Sequence, residues 1–153
     1  MQLISFQNID RFLNGKIIAV AGASRKEKSF SASVCSHLWA KGYTVVRINP
    51  NFVTNNKQKN EFKSVLDLPE GVNSLLVLTN PAQTLSVVKS AIEERGIKNI
   101  WIQQKSETPE VIGFCRANKV NLIYNHCIFM FTHPDGMHKF HYNLKKLFGG
   151  IPK

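Results

Sequence analysis

The chain is poor in the residues that build several common kinds of site. Its three cysteines, Cys35, Cys115 and Cys127, are odd in number, far apart and in no CxxC pair, which excludes a disulfide framework and a thiolate zinc centre. No HExxH helix, Ser-His-Asp order or pair of carboxylates on one face appears, so catalysis has no visible carrier. Apolar runs stop short of membrane-spanning length. The opening MQLISFQNIDRFLNGK interrupts with polar and acidic residues the apolar core that a signal peptide needs. A cytoplasmic location with reduced thiols is expected. Acids are scarce as well, ten against twenty Lys and Arg, for a formal charge of +10.

What is present is globular: 153 residues, 43% hydrophobic and 20% charged, the size and composition of one domain. The excess of base suits nucleic acid, an acidic membrane face or a polyphosphate ligand. Nucleic acid is the weaker reading, since aromatic residues are not interleaved with the lysines as stacking platforms. Arg25, Lys26 and Lys28 cluster directly after a glycine turn, whereas Lys139, Lys145, Lys146 and Lys153 lie in the tail.

The order of elements predicts an α/β fold. KIIAVA at 16–21 is a short β-branched run ending at Gly22. Phe30, Val34 and Leu38 then recur at helical spacing, with Ser29 or Ser31 as N-cap and Gly42 beyond the end. TVVRI at 44–48 is a second strand stopped by Asn49-Pro50; FVTNNKQKNEF reads as a polar loop, and a helical turn is expected over 62–66. SLLVLT at 74–79, NIWI at 99–102 and VNLIY at 120–124 complete five strands. Helices are expected from Asn80-Pro81 to about Arg95 and from Thr108-Pro109. Strands alternating with helices at this spacing make a Rossmann-like, doubly wound, mostly parallel five-stranded sheet with helices on both faces.

In such a sheet the turn after the first strand is the usual phosphate position. Here it reads AGASRKEKSFSAS. Gly22 permits close backbone approach, Ser24 offers a hydroxyl, and the next helix presents unpaired N–H groups to an anion. The full GxGxxG fingerprint is absent, and the alternative is a tight turn with solvated lysines. At the end of the second strand, where an NAD site places an acid, this chain has Arg47, which suits a 2′- or 3′-phosphate; the alternative is a side chain leaving an edge strand for solvent. Gly22→Val is expected to abolish phosphate binding while the sheet largely survives.

IAVAGASRKEKS, VVRINPN, SLLVLTNP and NIWIQ followed by YNHC together resemble the small CoA-binding domain proteins, relatives of the nucleotide-binding domain of the succinyl-CoA synthetase α subunit, over roughly residues 14–131. That resemblance implies a CoA diphosphate at Gly22, Ala23 and Ser24, with Lys28 nearby. It implies adenosine against Asn49, Pro50, Thr79, Asn80 and Pro81, and a pantetheine arm toward Trp101, Gln103 and Cys127. The chain departs from the family at Ser29-Phe30, where a glycine or small residue is usual. With no second domain expected to supply a phosphorylatable histidine loop, the reading is non-catalytic binding of coenzyme A or an acyl-CoA; the alternative is an NADP-dependent oxidoreductase, with Arg47 on the 2′-phosphate.

Three further features invite roles. Cys127, after His126, is either a thiol meeting that of CoA or a small buried residue ending a strand. His133, His138 and His141 lack a common helical face, so a metal site is not expected. Met137, Phe140, Leu144, Leu147 and Phe148 mark an amphipathic tail helix at about 137–148, docked on the domain or on a second subunit in a homodimer.

Overall fold

Short β-branched runs bounded by glycine, asparagine or proline are suited to strands buried on both faces, and all five expected runs form them. The computed structural model describes residues 5–132. In chain order, α1 is Phe6–Leu13, β1 Ile17–Ala21, α2 Phe30–Ala40, β2 Thr44–Ile48 and β3 Glu61–Phe62. Then come β4 Ser74–Val77, α3 Pro81–Glu93, β5 Asn99–Gln103, α4 Pro109–Ala117 and β6 Asn121–His126. The sheet order is β3-β2-β1-β4-β5-β6, and every neighbouring pair is parallel. The fold is therefore Rossmann-like with six strands rather than five.

The additional strand lies at the end of the expected polar loop. Two residues are too few to show an alternation; β3 exists because Arg47 and Ile48 of β2 pair with Glu61 and Phe62. The expected helical turn is a 3₁₀ turn at Val65–Asp67. Helix α1 was not anticipated: Ser5 caps it, and it buries Ile9 and Phe12 beside β5 and β6.

The other caps follow from side-chain chemistry. Ser29 Oγ accepts from the Ala32 N–H (3.1 Å), Asn80 Oδ1 from the Ala82 N–H (3.0 Å), and Thr108 Oγ1 from the Val111 N–H (3.3 Å). Pro81 and Pro109 open α3 and α4, where a missing N–H costs nothing. Two buried clusters flank the sheet. One joins Val88, Ala91, Val111 and Cys115 of α3 and α4 to Ala19, Val46 and Leu75; the other joins Phe12, Val34 and Leu38 of α1 and α2 to Ile18, Val45 and Trp101. No helix among the described residues is long and apolar enough to cross a membrane. The expected tail helix at about 137–148, and His133, His138 and His141, lie outside the described residues.

Candidate functional site

The strand order reverses between β1 and β4, and there the carboxyl ends of neighbouring strands part to leave a crevice. Gly22 stands at that point with φ +85°, and a Cβ on it would lie 2.9 Å from the carbonyl carbon and oxygen of Leu78. Backbone atoms cannot swing aside as a flexible side chain can, so Gly22 is required by the junction of β1 and β4 before any ligand is considered. The expectation that Gly22→Val would spare the sheet is corrected on that ground.

The turn itself differs from a ready-made phosphate cradle. The N–H groups of Gly22 and Ala23 both donate to the Ile48 carbonyl (3.1 Å each), and the Ser24 N–H donates to Ser31 Oγ (2.8 Å). Ala23 is buried. Ser24 Oγ accepts from the Lys26 N–H (3.0 Å) and keeps its own proton to donate. Backbone donors that remain for an anion include those of Phe30 and Ser31, the first two helical residues of α2, which have no intrahelical acceptor.

A cavity of about 640 Å³ opens at the crevice on the α3 side of the sheet. Gly22, Asn49, Pro50, Thr79 and Asn80 all line it, five residues that the sequence reading assigned to one ligand and that lie on three different turns. Asn49 ties the turn after β2 to the turn after β1, and Thr84 braces the turn after β4 from within. Asn49 Nδ2 donates to the Ala23 carbonyl (2.8 Å) while its Oδ1 accepts from the Asn51 N–H (2.8 Å). Thr84 Oγ1 donates to the Asn80 carbonyl (3.2 Å), which makes it the acceptor of the Thr79 hydroxyl 2.8 Å away. The result is a preformed wall whose shape is fixed by side chains engaged with the protein.

The other expected site residues go elsewhere. Pro81 begins α3 and Lys28 is exposed; neither lines this cavity. Trp101 is 0% exposed, packs edge-on against Phe12 with ring centroids 5.4 Å apart, and donates from Nε1 to the His126 carbonyl (3.0 Å). Its place in the centre of β5 makes it core, which corrects its expected contact with a pantetheine arm. Gln103 is also buried, its Oε1 accepting the Ile128 N–H (3.1 Å), and the buried Cys127 precedes the 3₁₀ turn Ile128–Met130. Both stand at the carboxyl edge of the sheet, yet neither lines the cavity.

Arg47 is the largest correction. Instead of reaching a ribose phosphate or solvent, its Nη1 donates to Glu61 Oε1 (2.7 Å), its Nη2 to the Ser24 carbonyl (2.9 Å), and its guanidinium lies over the Phe52 ring at 5.3 Å. The side chains of Arg47 and Glu61 are only 19% and 21% exposed. The cation that does line the crevice is Lys63, just beyond β3, and α3 contributes Gln83, Ser86 and Ser90. Those three recur at i, i+3 and i+7, a polar stripe opposite Leu85, Val88 and Ile92; that stripe was the available signal for them. Lys63 carried none, because its position depends on the two-residue strand before it.

The thiols of Cys35 and Cys115 are inert by the same burial that makes them core. Burial pushes Cys115 up to about 12 and Cys35 up to about 11, the nearby Arg47 charge pulling the latter back in part.

Comparison with known proteins agrees with this architecture. The model of the CoA binding domain family matches residues 16–133. A conserved hypothetical protein from Pyrococcus furiosus is similar at 28% identity and TM-score 0.69, covering 76% of this chain and 98% of its own. A hypothetical protein from Pyrococcus horikoshii OT3 is similar at 26% identity and TM-score 0.72, covering 84% and 88%. A Thermus thermophilus protein matches at 26% identity and TM-score 0.71, covering 83% and 95%. No curated protein matches the chain.

Proposed function

The chain belongs to the CoA-binding domain family, and from that premise we propose that it binds coenzyme A, free or acylated, across the crevice between β1 and β4. The observation that carries the reading is the cavity of about 640 Å³ in which the turns after β1, β2 and β4 meet around Gly22, Asn49 and Thr79. Its volume lies within the usual range for a small-molecule site. Adenosine packs against Asn49, Pro50, Thr79 and Asn80, with Pro81 behind. The diphosphate meets the Phe30 and Ser31 N–H groups and Lys28, where the positive end of α2 favours an anion. Lys63 takes the 3′-phosphate in place of Arg47, and the pantetheine runs over the ends of β5 and β6 above Gln103 and Cys127. NADP loses its main support, since the guanidinium that would have met a 2′-phosphate is held by Glu61 and the Ser24 carbonyl.

Mass spectrometry of the nucleotide released on denaturation, followed by calorimetry with CoA, dephospho-CoA and NADPH in one buffer, tests this. CoA is expected to bind tightest, and Lys63→Ala to weaken CoA about ten-fold, one charge-assisted contact, while leaving dephospho-CoA unchanged. Tighter binding of NADPH, or no binding of CoA, overturns the proposal.

A further inference from the structure

The crevice is not the only large cavity among the described residues. On the opposite face of the sheet, between α2 and the loop after β2, a groove of about 660 Å³ shares no lining residue with it. One wall is the α2 face formed by Ala32, Cys35, Ser36 and Trp39, about 10 Å of helix at 1.5 Å per residue. The other is Phe52 and Val53. The groove has two chemically different ends. Arg25 and Lys26 line it at the turn before α2, both exposed and in no ion pair among the described residues. Trp39 is the penultimate residue of α2 and is 46% exposed, an unusual state for so large an apolar surface.

Between the ends the floor is rigid. Arg47 is held by Glu61 and the Ser24 carbonyl and stacks on Phe52, so the groove keeps its shape without an occupant, and the Cys35 thiol in its wall stays neutral at physiological pH. Cations outnumber acids around the groove. Residues 25–63 hold eight Lys and Arg against two acids, Glu27 and Glu61, while residues 64–132 hold six of each. Glu61 is already paired with Arg47, which leaves Arg25 and Lys26 against Glu27 among the lining charges. The net excess of cation at that end attracts an anion, and an exposed indole a short helix-length away offers a face for a planar ring.

We propose that this groove is a second ligand site, for a phosphorylated planar ring of mononucleotide size, with the phosphate on Arg25 and Lys26 and the ring stacked on Trp39. It is independent of the CoA crevice, so the protein holds both ligands together.

Trp39 reports its own occupancy, because the chain's other tryptophan, Trp101, is buried in the core. The emission of the full chain is followed during titration with AMP, GMP and UMP, with ribose 5-phosphate as the ring-free control, first alone and then with saturating CoA. The expected result is saturable quenching by a nucleotide, unchanged by CoA and not shared by ribose 5-phosphate, with an affinity at least about ten-fold weaker in the Arg25→Ala, Lys26→Ala double variant. Both replaced side chains are exposed, and the double variant's thermal midpoint verifies that it is folded. Calorimetry with Trp39→Ala should show a similar loss. No saturable quenching up to about 10 mM, equal affinity in the folded double variant, or one-for-one displacement by CoA overturns the proposal. The titration without CoA stands even where CoA itself fails to bind, so the two readings fail separately.

Discussion

The two halves of the sheet are built to different ends. In the half containing β4, β5 and β6, every residue of β4 and β5 is buried, and residues 64–132 balance six cations with six acids. In the half containing β1, β2 and β3, the outermost strand is two residues long, Arg47 lies at the edge of the core, and residues 25–63 carry nearly all the net positive charge of the described chain. One half is an ordinary apolar scaffold. The other keeps cations at its surface around two cavities, where self-repulsion is tolerated because an anionic ligand can offset it. The difference teaches that the basic character of this protein is a local property of one sheet edge rather than a coating.

The sharpest break in that comparison is at the junction of the halves. Gly22→Val adds left-handed backbone strain to a 2.9 Å collision with the Leu78 backbone, and the two penalties together should cost about 5 kcal/mol, read as lost stability in chemical denaturation. A variant as stable as the parent would show that β1 and β4 can part freely. Next comes the scaffold half: Trp101→Ala empties the centre of β5 and should destabilise the fold by about 3–5 kcal/mol. Whatever fraction remains folded should bind CoA with parental affinity; a selective loss of CoA would return Trp101 to the site.

Smaller effects test the charged half. Arg47→Ala removes a half-screened ion pair and a bond to the Ser24 carbonyl, an expected loss of about 1–2 kcal/mol, and it should make the Ser24 turn and β3 exchange amide hydrogens faster. Lys98→Ala, in the balanced half, should alter CoA affinity by less than about two-fold through screened long-range attraction alone. A Lys98 effect as large as that of Lys63 would erase the distinction between the halves.

The thiols give a pH test with a definite sign. Because folding raises the Cys35 and Cys115 values, their burial stabilises the protein fully below the ordinary thiol range near 9, and that contribution fades as pH climbs toward about 11 for Cys35 and about 12 for Cys115. Stability should therefore fall in alkali from pH 9 upward. Iodoacetamide at pH 8 should leave Cys35 and Cys115 unmodified in the native state and label both after unfolding; rapid native labelling of either would contradict this packing.

Much of this molecule was legible in one dimension, because each signal was local. Five strands declared themselves as β-branched runs, and Ser29, Asn80 and Thr108 marked their helices because a cap requires only its own side chain and an N–H two or three residues on. Gly22, Asn49, Pro50, Thr79 and Asn80 were legible as strand-end residues, and parallel βαβ order alone sends strand ends to one edge of a sheet.

Tertiary structure decided what each of those residues is free to do. Trp101 and Arg47 have the same composition on either side of a folding event, but burial under Phe12 made one core, and a two-residue partner strand made the other an ion-paired brace. Pairing across β2 and β3 spans a loop of a dozen residues, and the opposite faces of β1 and β2 that hold the two cavities are distinguished only by which helix lies over them. The sequence by itself determined the order of elements and the residues at their ends. The availability of a donor, a cation or an indole depends on neighbours distant in the chain, and only packing brings those neighbours into contact.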